Sequence, residues 1–241
     1  MESTAGAAVV STPRFVVVAD LDGVWAAVER IRLQDGAAAE AVAEVRAILE
    51  PTGTRVASWW ISDRSTPVDV EAQLIGAGLQ IVPRDYRLDG LLATAPPPLG
   101  PPEVEVRRVD DVAGWIEVRS MQQETFDNPP ERRSTPEVLA REFERTHAVL
   151  FGAWLDGELV AAGAAAPTSR GMLLWGGATR PEARGRGCYR ALVRARWDEA
   201  VRRGTPALTV SANEQSGPIL RRLGFENVLS FRRLEDVLSW G

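Results

Sequence analysis

Arg184-Gly185-Arg186-Gly187-Cys188-Tyr189 is wedged between an apolar extended run and a long amphipathic stretch, a placement that few folds give to closely spaced glycines. Met172-Leu173-Leu174-Trp175 reads as a strand, Gly176-Gly177 loosens it, and Pro181 ends the extended segment. From Cys188 the period changes: Tyr189, Leu192, Val193, Arg196/Trp197, Ala200 and Val201 recur at helical spacing. Arg202 and Arg203 close the last turn, Gly204 supplies the stop and Pro206 blocks continuation. A helix that begins straight after glycines exposes unpaired backbone N–H groups at the positive end of its dipole. Without Cβ atoms, Gly185 and Gly187 let a ligand approach that backbone, so the segment reads as a cradle for a diphosphate. The plainer alternative is a strand–turn–helix unit whose glycines only make a tight turn.

Three kinds of glycine loop compete for this pattern. A P-loop needs a lysine after its last glycine, and all 28 basic residues here are arginine. A dinucleotide fingerprint asks for a third glycine where Arg190 stands. The pattern left is Arg-x-x-Gly-x-Gly/Ala, and Arg184-x-x-Gly187-x-Tyr189 resembles the acyl-CoA pyrophosphate loop of the GNAT superfamily of acetyl-CoA-dependent N-acetyltransferases. Tyr189 departs from the small residue usual at the last position, which backbone binding tolerates if the ring points away from the phosphates. The surroundings keep the order of that superfamily. Ala148–Trp154 and Leu159–Ala164 read as strands joined by Asp156-Gly157, a hairpin dipeptide. After the long helix come the strand Ala207–Val210, Asn213, a short helix to Leu223-Gly224-Phe225, and the strand Val228–Leu234. The resemblance spans about residues 103–241.

The resemblance implies that an acetyl group passes from acetyl-CoA to an amine by direct attack. The amine, a small molecule or a peptide, is not specified. By position, Gly177, Ala178 and Thr179 would hold the pantetheine arm, and Gly185, Arg186, Gly187, Cys188, Tyr189 and Arg190 the pyrophosphate. Asn213 matches the family's asparagine beside the pantetheine, and Gly176-Gly177 permits a bulge that opens a gap towards Ala207–Val210. A backbone N–H of the bulged strand can stabilise the oxyanion. The usual proton carriers are missing. Leu220 stands where many relatives place a tyrosine, and no glutamate precedes Asn213 in its strand. Glu124 is therefore the candidate catalytic base, with His147 and Tyr189 as weaker alternatives for moving protons. Cys188 reads as a small core thiol, since direct transfer needs no nucleophile on the protein. Trp175 could floor the acceptor pocket. With both common proton carriers absent, a CoA-binding sensor or regulatory protein of little or no catalytic activity remains the alternative.

At 241 residues the chain exceeds one such core, so the expected fold is α/β (α+β) in two parts. A GNAT-like, mostly antiparallel mixed sheet flanked by helices would follow a smaller, degenerate α/β domain. Pro96-Pro97-Pro98-Leu99-Gly100-Pro101-Pro102 marks the boundary, giving domains at 1–95 and 103–241 with 96–102 as linker. The first half offers strands at Arg14–Leu21 and Arg55–Ile61, helices at Val24–Leu33, Ala37–Leu49 and after Pro67, and an extended run from Gln80 to Leu92. Trp25, Trp59 and Trp60 are expected in a core or an interface, the last two on opposite faces of their strand. Leu74-Ile75-Gly76-Ala77-Gly78-Leu79 echoes Leu220–Phe225 at an offset of 146, and Val82 and Tyr86-Arg87-Leu88 continue the match at Val228 and Arg232–Leu234. That echo reads as a faded repeat without a cofactor loop, with chance similarity as its rival.

A net charge of −5 argues against a nucleic-acid-coating protein. One cysteine and one histidine cannot build an internal disulfide or a His/Cys zinc site, so no metal is expected. No stretch approaches membrane-spanning length and the first residues lack a leader pattern, which predicts a cytoplasmic protein without a membrane partner. Both a monomer and a homodimer fit, because a faded first domain could replace a partner subunit.

Overall fold

Val16–Asp20 alternates half-buried and buried residues along its length, as a strand with one face on a core must. This is the pattern on which the first part of the chain is built. The computed structural model describes residues 2–4, 7–20, 23, 25–82, 87–126, 128–130 and 133–239. The chain divides into two units, Met1–Asp89 with Leu229–Gly241, and Gly90–Val228.

In the first unit β1 (Glu2–Thr4), β2 (Ala7–Ser11), β3 (Val16–Asp20) and β4 (Ala26–Glu29) pair in sequence, each antiparallel to the last. Helix α1 (Ala38–Leu49) then carries the chain to β5 (Val56–Ser62), which lies parallel to β4 with Ala26–Val28 opposite Ala57–Trp59. Helix α2 (Val70–Gly76) and the short β6 (Gln80–Ile81) follow. Phe15, Val28, Ile31, Val45, Leu49, Trp59, Ile61 and Leu74 are fully buried in one core. The helix expected over Val24–Leu33 is instead β4. A short apolar run fits either period, and pairing with strands on both sides decides it. Val24 and Leu21 lie outside the described residues. Trp59 is buried and Trp60 half-buried, as their alternation required, whereas Trp25 is 47% exposed and belongs to no core.

The second unit begins within β7 (Arg87–Ala93), whose Leu91 and Ala93 enter its core, and continues with β8 (Val104–Arg108), α3 (Val112–Thr125) and α4 (Pro136–Arg145). Then come β9 (Val149–Leu155), β10 (Glu158–Thr168), β11 (Gly171–Thr179), α5 (Cys188–Arg202), β12 (Leu208–Ala212) and α6 (Gly217–Arg222). β8, β9, β10 and β11 pair antiparallel in that order, and β12 joins β11 in parallel. β9 and β10 read as continuous apolar runs because helices cover both of their faces. Leu150, Ala162 and Ala164 meet Trp115, Val118 and Met121 of α3, while Phe151, Ala153, Ala161 and Ala165 meet Leu192, Val193 and Trp197 of α5.

The proline run at 96–102, expected as a semi-rigid linker between domains, is not a boundary. It lies inside the second unit and along α5: Pro97 accepts a hydrogen bond from Arg194 Nη1 at 3.3 Å, and Gly100 sits so close that a Cβ would be 2.4 Å from that of Ala191. The ends of the chain also sort differently from the expected 1–95 and 103–241. The last strand, β13 (Glu226–Val237), pairs its Phe231–Val237 with Ser62–Val56 of β5, and Leu234 and Leu238 complete the first unit's core. Arg46 of α1 grips Asp236, which is buried, through Nε and Nη2 at 3.0 and 2.6 Å.

The echo at an offset of 146 has a structural counterpart. α2 ends with N–H groups of Ala77, Gly78 and Leu79 donating to Leu74, Ile75 and Leu74, with Gly78 at φ 102°. α6 ends with Leu223, Gly224 and Phe225 donating to Leu220, Arg221 and Leu220, with Gly224 at φ 92°. Tyr86, where the sequence match continued, lies outside the described residues. Each unit also runs strand, helix, parallel strand, short helix.

The end of α5 is fixed by Glu199, whose buried carboxylate takes Arg202 at 2.6 Å and Arg203 at 2.6 Å, with Arg108 at 3.5 Å. Arg202 and then Arg203 pull this carboxyl from 4.5 to about 2, against the opposing effect of burial. A folded pKa below the unfolded one stabilises the protein fully above pH 4.5 and ceases to do so as pH falls towards 2. Glu199→Gln should therefore cost about 1–2 kcal/mol at neutral pH, allowing for the solvent exposure of the arginines. In chemical denaturation the gap to wild type should close as the pH is lowered from 5 to about 2.

Candidate active site

β11 and β12 are hydrogen-bonded neighbours only over Met172–Leu174 and Leu208–Val210. Beyond that point they part. The cause lies in β11, where Ala162 faces Ala178 but Ala164 faces Trp175, so β11 carries one residue more than β10 across this span. Gly176 and Gly177 make the bulge. Gly176 has φ 61°, an angle that favours glycine, and a Cβ there would lie 2.5 Å from Gln122 Nε2, which would have to shift. Gly177, Ala178 and Thr179 end β11 beyond its last pair with β12, and Asn213 follows the end of β12 at the same end of the parallel pair. Asn213 Oδ1 accepts from the N–H of Gln215 and Ser216 at 3.1 and 3.0 Å, which turns the chain from β12 into α6.

The glycine loop completes this end of the unit. Pro181–Ala183 form a single 3-10 turn, and Gly185 and Gly187 follow at φ 78° and 79°. Gly187 is the N-cap of α5, and no side chain caps that helix. The N–H groups of Cys188, Tyr189 and Arg190 precede the first intrahelical bond, from Ala191 to Gly187, and so form the donor set of the helix start. Gly185 and Arg186 are exposed, and a Cβ on Gly185 would meet nothing. Arg184, Arg186 and Arg190 surround the turn, with Asp156 3.5 Å from Arg186 as a counter-charge. A diphosphate fits such donors and charges. Gly187 is less open, since its Cβ would lie 2.5 Å from Pro101. The Cys188 side chain is buried in the core, and burial pushes its thiol up, so its backbone alone can face a ligand.

Tyr189 points inward from the first turn of α5, and its ring would touch a Cβ on Gly177 at 2.6 Å. Behind it stands Arg196, fully buried, 5.8 Å from the ring centroid. Its Nε donates to Leu192 O and its Nη1 to Ala164 O, while Nη2 has no partner. Burial pulls this guanidinium below its usual range. Gly163 makes room for it, since a Cβ there would be 2.9 Å from Arg196 Cζ. On the opposite face of the bulge, the buried Gln122 donates Nε2 to Gly176 O and accepts Arg119 Nη1 on Oε1, and Arg119 lies 5.3 Å over the Trp175 ring.

The catalytic candidates are scattered. Glu124 is exposed, 3.8 Å from Arg180 and 3.9 Å from Arg133, and lines a cavity of ≈ 460 Å³ with Glu117, Met121, Trp154, Glu158 and Arg180. The α3 side chain that touches the bulge is Gln122. Asp127, in the same acceptor-side segment of the sequence, lies outside the described residues. His147 lines a separate cavity of ≈ 280 Å³ at the N-terminal end of β9, whereas the loop follows the C-terminal end of β11, which runs in the same direction as β9. Leu220 is fully buried in the core. Sequence reading missed Gln122, Arg119 and Arg196. The signal for Gln122 and Arg196 was a polar residue on an apolar helical face, with Trp115 and Val118 in one case and Leu192, Val193 and Ala200 in the other.

Residues 115–225 match the family model described as "Acetyltransferase (GNAT) family". This part of the chain is a GNAT acetyltransferase domain. The whole chain also shares its fold with solved structures. A GCN5-related N-acetyltransferase from Kribbella flavida matches with TM-score 0.72 at 16% identity, over 97% of this chain and 91% of that one. A GCN5-related N-acetyltransferase from Sphaerobacter thermophilus gives 0.66 at 17% identity, over 95% and 82%. A tandem GNAT protein from the clavulanic acid biosynthesis pathway gives 0.62 at 15% identity, over 94% and 79%. No curated protein matches the chain. The mixed, mostly antiparallel sheet expected from the sequence is thus the fold, and the GNAT domain places the chemistry in acyl transfer. Among the described residues no group of His, Cys, Asp or Glu is arranged to hold a metal, and no helix is long and apolar enough to cross a membrane.

Arg196 is a buried charge without a carboxylate partner in its hydrogen-bond shell, so its removal should not weaken the fold. Arg196→Met should melt at or above the wild-type temperature. Gly163→Ala should lose about 1–3 kcal/mol through overpacking against Arg196, and regain most of it in the double variant. Thermal denaturation of the three variants checks both.

Proposed function

We propose that the protein is an acetyl-CoA-dependent N-acetyltransferase that passes the acetyl group to an amine by direct attack. The observation that carries this reading is the parting of β11 from β12 beside a helix start that no side chain caps. The pantetheine arm would lie along Gly177, Ala178 and Thr179 with Asn213 opposite, and the pyrophosphate on the N–H groups from Gly185 to Arg190. Acetyl-CoA supplies an activated thioester. The amine nitrogen attacks its carbonyl carbon, the C–S bond breaks, and a proton released by the amine must balance the departing thiolate.

An ammonium of pKa about 10 has first to be deprotonated. Glu124 is the carboxylate we assign to that step, directly or through water, from its place on the cavity beside α3. Glu117 and Glu158 on the same cavity favour a cationic small molecule or peptide as acceptor. The Tyr189 hydroxyl would lie 3.4 Å from a Cβ on Gly177, near enough to the bulge to return the proton to the thiolate. The first unit we read as a degenerate GNAT-like copy. Where β11 and β12 part, the first unit stays closed: Thr66 N–H donates to Ile31 O and Leu33 N–H to Thr66 O.

A second reading, a CoA-binding sensor with little or no activity, draws on two observations. Leu220 is a buried hydrocarbon at the usual tyrosine position, and Glu124 sits between two arginines.

Calorimetric titration with acetyl-CoA, and separately with CoA, should show micromolar binding. Gly185→Asp puts a negative charge in the open turn, at a backbone angle that aspartate tolerates. It should weaken both ligands at least about tenfold with little change in melting temperature. Unchanged affinity would contradict the assignment of the loop. Binding without acetylation of any amine in a broad screen would favour the sensor.

A further inference from the structure

Gln122 is the one α3 side chain whose hydrogen bonding reaches into the bulge among the described residues. It stands in a chain of polar contacts. Glu142 of α4 holds Arg119 at 3.3 Å, Arg119 donates to Gln122 Oε1, and Gln122 Nε2 donates to the carbonyl of Gly176. Both ends of the amide are used, one accepting and one donating, so neither a carboxylate nor a hydrocarbon of the same size could replace it. Gly176 and Gly177 have no partner in the register of β10 or β12, so the regular ladder pattern is interrupted at the peptide between them. Gln122 orients it from the α3 face, and the Tyr189 ring backs Gly177 from the α5 face.

A trans peptide is planar, with its C=O and N–H pointing in opposite directions. If the Gly176 carbonyl is turned to Gln122 on α3, the Gly177 N–H is turned away from α3. We propose that Gln122 is a positioning residue for acyl transfer. It holds the Gly176–Gly177 peptide so that the Gly177 N–H points into the gap between β11 and β12 and donates to the thioester carbonyl oxygen. This rests on the acetyl-CoA reading above. A donor fixed before the reaction stabilises the oxyanion as it forms, without reorganisation at that moment. In a bulge that interrupts the regular pairing, Gln122 supplies a constraint from α3.

Isotope-edited infrared spectroscopy of acetyl-CoA labelled with carbon-13 at the thioester carbonyl tests this without any acceptor. Calorimetry comes first. If the wild type does not bind acetyl-CoA, the cosubstrate reading fails and this proposal with it. If it binds, the bound carbonyl band should lie below that of free acetyl-CoA. Gln122→Glu and Gln122→Met should bind acetyl-CoA within about threefold of wild type while the band returns to the free position. A band that stays shifted in both variants at wild-type affinity overturns the role of Gln122 and leaves the cosubstrate reading standing. Where neither variant keeps the wild-type melting profile, Arg119→Met releases the far end of the amide without touching the bulge, and the band should move part of the way back. No movement there overturns the proposal as well.

Discussion

Everything at the candidate site follows from where one parallel ladder stops. Parallel strands joined through a helix stay together only while each supplies backbone groups in register, and one extra residue in β11 ends that register after Leu174. With its partner lost, β11 presents Gly177–Thr179 to a gap, and the chain leaves the strand through a turn rich in glycine and arginine. The orphan N–H groups of α5 then lie at the same end as the open strand edges. An extended polar arm with a diphosphate at one end matches both features. The first unit has the same order of elements and closes the corresponding place with backbone hydrogen bonds around Thr66.

The bulge survives because it is held from two sides. Gly176 takes a backbone angle that favours glycine against Gln122, and Gly177 leaves room for the Tyr189 ring. Beneath them Arg196 is buried on the α5 side, with two of its nitrogens on backbone carbonyls and the Tyr189 side chain beside it. Such a charge is costly to bury. The large Tyr189 at a position where small residues are usual thus has a definite place: it fills the space between a strand bulge and a buried guanidinium.

The sequence carried the loop, the long helix after it, the Asp156-Gly157 hairpin and the Gly176-Gly177 bulge, because each depends on residues close together in the chain. Other features depended on partners far away in sequence. Val28 looked helical until β3 and β5 flanked it, and the proline run looked like a linker between domains until small residues of α5 received it. The assignment of β13 to the first unit rests on pairing with β5, about 170 residues earlier, which no local period announces. Gln122 and Arg196 were visible only as polar residues on apolar helical faces. Their meaning required the bulge they touch.

Hydrogen exchange of the backbone amides, followed by mass spectrometry with and without CoA, tests the central claim most directly, that the cofactor lies where β11 and β12 part. The account predicts slowed exchange over Gly177–Arg190 and around Asn213 on adding CoA, with Ala26–Leu33 and Val56–Thr66 unchanged. Protection confined to the first unit, or none at saturating CoA, would contradict it.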